Sequence, residues 1–154
     1  MEKIRELRGE VFCYESEDLE KVKKAFELVF PKSTTKISST QGVYGTKVII
    51  LRAKVPKKQL KEAVRNIIQK VQKDDMAKLL RSLKPRMDET GNLFLRFNKQ
   101  TAFEKEKLVL ADESEDTIQV VIAVKAYPAS VENYIESVKN LISKPDLSLK
   151  YSKE

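Results

Sequence analysis

The most informative stretch of the chain is residues 86–110, RMDETGNLFLRFNKQTAFEKEKLVL. Its residues 88–92 have the composition of a turn, because glycine adopts a positive φ freely and Asn or Asp tolerate it better than most residues. The next five residues, 93–97, alternate as a half-buried strand does, which puts Phe94 and Arg96 on the face opposite the other three side chains. The stretch therefore predicts a turn that leads into a strand.

Hydrogen-bond donors cluster where this strand is predicted to end. Arg96 is followed by Asn98, Lys99 and Gln100, and such a group suits an anionic, hydrogen-bonding ligand. If the chain then turns back, residues 107–110 become the neighbouring strand, and the donors only form the polar connection of a hairpin. The residues by themselves leave both interpretations open.

Chain length and composition favour one domain. With 154 residues, the chain is long enough to bury a core, and we expect one domain over residues 1–142 and a loosely ordered tail over residues 143–154. The sequence has neither a run of about 18 apolar residues nor the apolar segment of a signal peptide, so no membrane association is expected. The lone cysteine, Cys13, excludes an intramolecular disulfide and favours a reducing cytoplasm.

The sequence contains no histidine, which removes Ser-His and Cys-His nucleophiles and His-rich zinc sites. Clustered carboxylates occur at residues 88–89 and in the acidic segment 112–116, and a flexible loop seldom holds a hard cation in fixed geometry. The sequence has no phosphate-cradling P-loop either. We therefore expect no enzyme activity, no metal site and no cofactor, and a Mg²⁺-dependent nuclease is the least favoured alternative.

The positive charge is concentrated in the middle of the chain. The formal net charge is +7, yet residues 47–86 alone contain thirteen Lys or Arg and three acidic residues, so that the remainder is mildly acidic. Such an uneven distribution favours a polyanionic partner over general solubility.

Periodicity predicts the order strand, helix, strand, strand, two helices, three strands and a helix. The first strand covers residues 4–14, and Ser16 is the expected N-cap of the helix after it. Residues 33–40 are typical of an edge strand, whereas the apolar run within residues 46–55 indicates a central one. The order predicts an α+β fold, with helices packed on one face of a two-layer, mostly antiparallel sheet.

The helix predicted after residue 56 carries a regular row of cations. Lys57, Lys61 and Arg65 recur at every fourth residue and so share one helix face over roughly 12 Å. That row is a natural phosphate track, although a solvated helix face explains it equally well. A second helix follows and is expected to end at Pro85.

Two blocks of sequence carry a resemblance to a known family. The first is residues 42–46, GVYGT, followed by an apolar strand, and the second runs from residues 86–88, RMD, through residues 91–93, GNL, to residues 98–103, NKQTAF. Together they resemble an archaeal family of predicted RNA-binding proteins, over about residues 11–124. The resemblance implies a fold like that of the large-subunit ribosomal protein that binds 5S RNA, and an association with the archaeal exosome.

Charge and resemblance together predict a non-catalytic protein that binds structured or double-stranded RNA through a basic face, as an accessory to RNA processing. Within that prediction, Tyr44 stacks on a base or sugar unless it is a packing residue, and Arg86 contacts RNA unless it merely pairs with Asp88. The residues expected to contact RNA are Tyr44, Lys47, Lys57, Lys61, Arg65, Arg86, Arg96, Asn98, Lys99 and Gln100. The alternative function is a protein–protein interaction subunit of the exosome or another RNA-processing complex, without direct RNA contact.

Overall fold

The computed structural model describes residues 4–31, 34–41, 45–112 and 116–143 of the chain. Within these residues the strands are β1 (Ile4–Cys13), β2 (Thr35–Gln41), β3 (Lys47–Lys54), β4 (Asn92–Asn98) and β5 (Thr117–Val124). The helices are α1 (Leu19–Val29), α2 (Leu60–Lys70), α3 (Lys73–Arg81), α4 (Leu83–Arg86), α5 (Lys99–Lys105) and α6 (Val131–Ser143), and a short 3-10 turn, Lys57–Gln59, precedes α2. The expected tail lies outside the described residues, apart from Ser143.

The strands form one antiparallel sheet in the order β2-β3-β1-β5-β4. β1 lies at the centre, where Val11 pairs with Leu51 of β3 and Leu7 pairs with Ile122 of β5. β2 is an edge strand and β3 an interior one. The edge and central strands expected from residues 33–40 and 46–55 are thus confirmed.

The helices bury their apolar sides against one face of this sheet, so the predicted two-layer α+β fold is confirmed. Strand side chains that point into this layer are Leu7, Val11, Leu51, Ala53, Leu93, Leu95, Phe97, Ile118, Val120 and Ile122, all at most 4 % exposed. Close contact at the centre depends on Gly9, because a methyl group there would lie 2.5 Å from Cζ of Phe30 and 2.4 Å from the carbonyl oxygen of Gln119. The end of α1 therefore rests directly on the middle of the sheet.

The chain returns beside β4 as expected, with an antiparallel bridge between Phe97 and Leu110, but it turns back through a helix, α5, and not through a hairpin turn. Asn98 starts this helix as its N-cap, and its side chain accepts a hydrogen bond from the backbone N–H of Thr101 at 2.8 Å. β4 pairs with β5 along its whole length, whereas residues 108–110 make only isolated bridges to Val71 and Phe97. The chain order therefore has two final strands separated by a helix, and not three successive strands.

Two helix boundaries also differ from expectation. Asp18, not Ser16, caps α1, and its carboxylate accepts the backbone N–H of Glu20 at 2.9 Å. α3 already ends at Arg81, and Pro85 lies in the first turn of α4. Proline is tolerated there because the backbone N–H that it lacks would have no partner within the helix.

Candidate nucleic-acid interface

Alternate side chains of the strands point away from the helices and form a second sheet face, here called the open face. Its members are Arg8, Glu10 and Phe12 of β1, Lys36, Ser38 and Thr40 of β2, Ile50, Arg52 and Lys54 of β3, Phe94 and Arg96 of β4, and Gln119 and Val121 of β5. None of them belongs to the buried core cluster. The open face combines cations with a few apolar side chains, in contrast to the apolar centre of the inner face.

One row of side chains crosses the open face through all five strands. Lys36 pairs with Arg52, Arg52 with Glu10, Glu10 with Gln119, and Gln119 with Arg96. Directly opposite residues on one face of a sheet have Cβ atoms about 5 Å apart. This row, here called the central row, therefore places three cations, one amide and one carboxylate on a line across the sheet.

A second row runs beside it and becomes apolar towards β4. Lys54 pairs with Arg8, Arg8 with Val121, and Val121 with Phe94. Phe94 is 45 % exposed although it lies on a regular strand. The open face thus has a cationic side at β3 and β1 and an apolar patch at β5 and β4.

A concave region of about 920 Å³ spans part of the open face and the start of α2. Six basic side chains and two carboxylates line it, namely Arg5, Arg8, Lys36, Arg52, Lys54 and Lys57 with Glu6 and Glu10. An excess of cations in a concave surface produces a positive potential that attracts polyanions.

Ion pairs neutralise only part of this charge. Glu6 lies 2.8 Å from Arg8 and 3.6 Å from Lys54, and Glu10 lies 3.1 Å from Arg52. Among the described residues, no carboxylate lies within 4.0 Å of Lys36, Lys57 or Arg96. The paired side chains are themselves partly exposed, 41 % for Arg8, 59 % for Arg52 and 73 % for Lys54, so water screens the pairs and a phosphate can reach the same cations.

The cation row predicted on α2 is only partly at the surface. Lys57 and Lys61 are exposed, and Lys57 also borders the concave region. Arg65 is 8 % exposed and lies 3.5 Å from Glu62. The row is therefore not continuous at the surface, because Arg65, one of its three members, is buried.

Lys99, expected as an RNA donor, is buried in a salt-bridge cluster. Its ammonium group lies 2.8 Å from Glu17 and 2.5 Å from Asp116 and donates to the carbonyl oxygen of Phe12 at 2.9 Å. Only 4 % of the residue is exposed. The donors Asn98, Lys99 and Gln100 therefore have different surroundings. Lys99 is buried, Asn98 caps α5 and Gln100 is exposed.

Arg86 pairs with Asp112 and not with the expected Asp88. Two guanidinium nitrogens donate to the two carboxylate oxygens at 2.6 and 2.7 Å, and the hydrogen bond to Arg86 holds the pKa of Asp112 below its ordinary value. Asp88 instead accepts hydrogen bonds from the backbone and side chains of Asn92 and Thr90. Burial by itself would raise the pKa of Asp88, but the hydrogen bonds outweigh this effect and lower the pKa from 3.8 to about 2.

A further expected contact residue, Lys47, lies apart from the open face. Lys47 is exposed at the start of β3, and strand alternation points its side chain towards the helical side. Tyr44 lies outside the described residues.

Sequence reasoning missed most of the open face, including Arg8, Lys36, Arg52 and Lys54. Their signal was present as the alternation of charged and apolar residues in β1 and β3, for example Arg52 and Lys54 on either side of Ala53. Composition indicates that the middle of the chain is basic. The sequence of a single strand does not indicate which cations of other strands lie beside it in the sheet.

The structure contains neither a recognisable metal site nor a recognisable membrane helix within the described ranges. No group of three or more Cys, Asp or Glu side chains there is arranged to hold a metal ion. In the same ranges, none of the helices has the length and apolarity required to cross a membrane.

Comparison with known proteins identifies relatives along most of the chain. An RNA-binding protein of Pyrococcus abyssi is 29% identical over 147 residues, which are 91% of this chain and 94% of that protein. A DUF54 protein of Methanothermobacter thermautotrophicus has a similar structure with a TM-score of 0.76 and 29% identity, over 92% of this chain and 99% of that one. A second DUF54 protein, from Archaeoglobus fulgidus, gives a TM-score of 0.78 and 28% identity over 90% and 99% of the two chains. A family model described as RNA binding matches residues 6–125, and this chain therefore belongs to that RNA-binding family, which has archaeal members.

Proposed function

We propose that this protein binds structured RNA through the open face of its sheet and acts on that RNA as a binding protein, without catalysis. The observation that carries the proposal is the central row, in which Lys36, Arg52 and Arg96 are aligned with the amide of Gln119 across five strands. Membership of an RNA-binding family supports RNA as the polyanion.

The chemistry of the central row suits a folded or double-stranded RNA. Lys and Arg neutralise phosphates and release counterions, which gives salt-dependent affinity with little sequence preference. The amide of Gln119 donates and accepts hydrogen bonds, as contact with a ribose 2′-hydroxyl requires. Double-stranded RNA is recognised mainly through such phosphate and 2′-hydroxyl contacts, so the open face has the groups needed to bind it by shape.

The open face is favoured over the α2 helix face for a geometric reason. On α2, Arg65 is buried, so that only Lys57 and Lys61 of the expected row are exposed. On the sheet, the hydrogen-bonded ladder fixes the spacing of Lys36, Arg52 and Arg96. A preorganised set of cations loses less conformational entropy on binding.

The positions of the acidic groups support binding over metal-dependent cleavage. Asp112 and Asp116, from the acidic segment, lie in ion pairs with Arg86 and Lys99 respectively. A carboxylate that is bound to a cationic side chain is poorly available as a Mg²⁺ ligand. We propose on this basis an accessory role in RNA processing, and the family resemblance suggests the exosome as a protein partner.

Two charge-matched variants test the proposed surface. The central-row variant carries Lys36→Gln, Arg52→Gln and Arg96→Gln, and the helix-face variant carries Lys61→Gln, Lys73→Gln and Lys84→Gln, all at exposed positions. Both lose three positive charges, so a purely non-specific electrostatic effect is the same in each.

The readout is fluorescence anisotropy with a labelled RNA hairpin at one fixed salt concentration. We expect the central-row variant to bind at least about ten-fold more weakly than the helix-face variant, because charged hydrogen bonds are lost only in the former. Equal weakening in the two variants, or a greater loss in the helix-face variant, contradicts the proposal. Metal-dependent cleavage of the hairpin by the pure wild-type protein contradicts its non-catalytic part.

A further inference from the structure

We infer that the apolar patch of the open face is a stacking site for an unpaired nucleotide, with the ring of Phe94 as its floor. The preferred RNA is then a duplex that carries an unpaired base, in a bulge or a single-stranded flank, and not a fully paired helix. The inference rests on the proposed RNA-binding function and specifies the RNA that the open face selects.

The position of Phe94 makes its ring available to a ligand. It lies on β4, directly opposite Val121 of β5, in a ladder of seven paired residues. The side chain is 45 % exposed, and among the described residues its ring has no aromatic or cationic partner. In contrast, the ring of Tyr14, which is 42 % exposed, lies 5.4 Å from the ammonium group of Lys99 and is already engaged.

Positive charge surrounds the patch on two sides. Arg96 follows Phe94 by two residues and therefore points to the same face, and Arg8 pairs with Val121 on the far side of the patch. The nucleotide offers a flat apolar base and a charged phosphate, and the patch presents a flat ring between two guanidinium groups. A base that stacks on Phe94 thus has two cations near its phosphate, Arg96 two residues along the same strand and Arg8 two strands across the sheet.

The neighbouring turn is held rigidly and bounds the site. The side-chain amide of Asn92 donates to Asp88 at 2.9 Å and to Thr90 at 3.0 Å, while Arg5 donates to the carbonyl oxygen of Thr90 at 3.2 Å. These bonds tie the turn before β4 to β1. The turn and the start of β4, which carries Phe94, are therefore held in place before binding, which limits the entropy lost on binding.

An exposed phenylalanine is often only a scattered surface residue, but the surroundings of Phe94 differ from that case. The comparison within this chain is Ile37, which is 54 % exposed on β2 and points to the helical side of the sheet. Ile37 lies away from the open-face cations, whereas Phe94 adjoins Arg96. Charge complementarity therefore selects a nucleotide as the occupant of the Phe94 patch.

The test uses two labelled RNAs that differ only in one unpaired nucleotide, a perfect hairpin whose loop is a base-free ethylene-glycol linker and the same hairpin with a single-base bulge. Their affinities are measured by fluorescence anisotropy for the wild type, Phe94→Leu and the control Ile37→Ala. We expect the wild type and the control to prefer the bulged RNA by roughly ten-fold, because stacking of one base on an aromatic side chain contributes about that much. Phe94→Leu keeps an apolar side chain but removes the flat ring, and it should bind both RNAs equally, with the affinity for the perfect hairpin unchanged.

A second measurement keeps the inference testable if Phe94→Leu folds poorly. The chain contains no tryptophan, so Phe94→Trp introduces a single fluorescent indole, and its emission should be quenched by the bulged RNA and not by the perfect hairpin. Equal affinity of the wild type for both RNAs, a preference that survives in Phe94→Leu, or an unquenched Trp overturns the stacking site alone. If the wild type binds neither RNA, the proposed function fails together with this inference.

Discussion

Replacing Lys99 with methionine is expected to lower the free energy of unfolding by about 3 kcal/mol, while leaving the open face intact. The Lys99 side chain is 5 % exposed, and its ammonium group is bonded to two carboxylates and to the backbone carbonyl of Phe12. Removal of one partner from a buried ion pair typically costs about 3 to 5 kcal/mol, because the remaining charge is left uncompensated. The lower value applies here, since Glu17 and Asp116 are 24 % and 56 % exposed and can turn towards water.

Urea denaturation followed by circular dichroism measures this loss. With a denaturant slope of about 2 kcal/mol per molar urea, the midpoint of Lys99→Met should fall by about 1.5 M. The control Arg96→Gln, at an exposed position, should change stability by less than about 0.5 kcal/mol. Adding Glu17→Gln to Lys99→Met should restore part of the stability, because it removes the charge of a carboxylate that has lost its salt bridge to residue 99.

Two results would refute this reasoning. One is a midpoint for Lys99→Met that is unchanged from the wild type. The other is a Lys99→Met protein that is fully folded yet has lost RNA affinity as completely as the central-row variant, since Lys99 would then be a contact residue and not a structural one.

Three further predictions concern the turn before β4 and the charge of the open face. Gly91→Ala should lower the free energy of unfolding by about 3 kcal/mol. The reason is that Gly91 has φ 91° and a methyl group there would lie 2.6 Å from the carbonyl oxygen of Val124. Thermal and urea melts measure the loss, and a melt like that of the wild type contradicts the prediction. Asp88→Ala should lower the free energy of unfolding by about 1 kcal/mol at neutral pH. Because the folded-state pKa of Asp88 is lowered from 3.8 to about 2, this difference in stability between the two proteins should persist above about pH 4 and vanish as the pH falls to about 2. A difference in stability that grows on acidification contradicts the prediction. Finally, a plot of the logarithm of RNA affinity against the logarithm of salt concentration should have a negative slope. In the central-row variant this slope should be smaller in magnitude by about 2.7, or about 0.9 for each lost phosphate contact. An unchanged slope means that these cations do not contact phosphates.

Local patterns predicted most of the elements and their faces. The turn at Gly91 and the alternation after it follow from residues that lie next to each other in the chain, and the structure has β4 there with Phe97 buried. The apolar run of β3 likewise predicted an interior strand, because successive apolar residues indicate burial on both faces, and β3 does lie between β2 and β1. These features depend on short-range sterics and burial, which can be inferred from residues that are close together in the sequence.

The missed features depend on contacts between distant parts of the chain. Arg86 reaches Asp112 over 26 residues, and Lys99 reaches Glu17 over 82, so neither partner was apparent from local sequence. The central row joins residues from five strands, and no local pattern aligns Lys36 with Arg96. The family resemblance correctly indicated an RNA-binding family. The donors at the end of β4 are adjacent in sequence, but the fold buries Lys99 and exposes Gln100.

The most direct test of the central claim is lysine acetylation footprinting of the full chain, with and without a bound RNA hairpin, read by mass spectrometry. Lys36 and Lys54 report the open face, and Lys61 and Lys73 report the helix face, all four being exposed in the free protein. We predict that RNA slows acetylation of Lys36 and Lys54 and leaves Lys61 and Lys73 unchanged. Protection of Lys61 and Lys73 with full reactivity at Lys36 and Lys54 would contradict the account, because RNA would then lie on the helices and not on the open face.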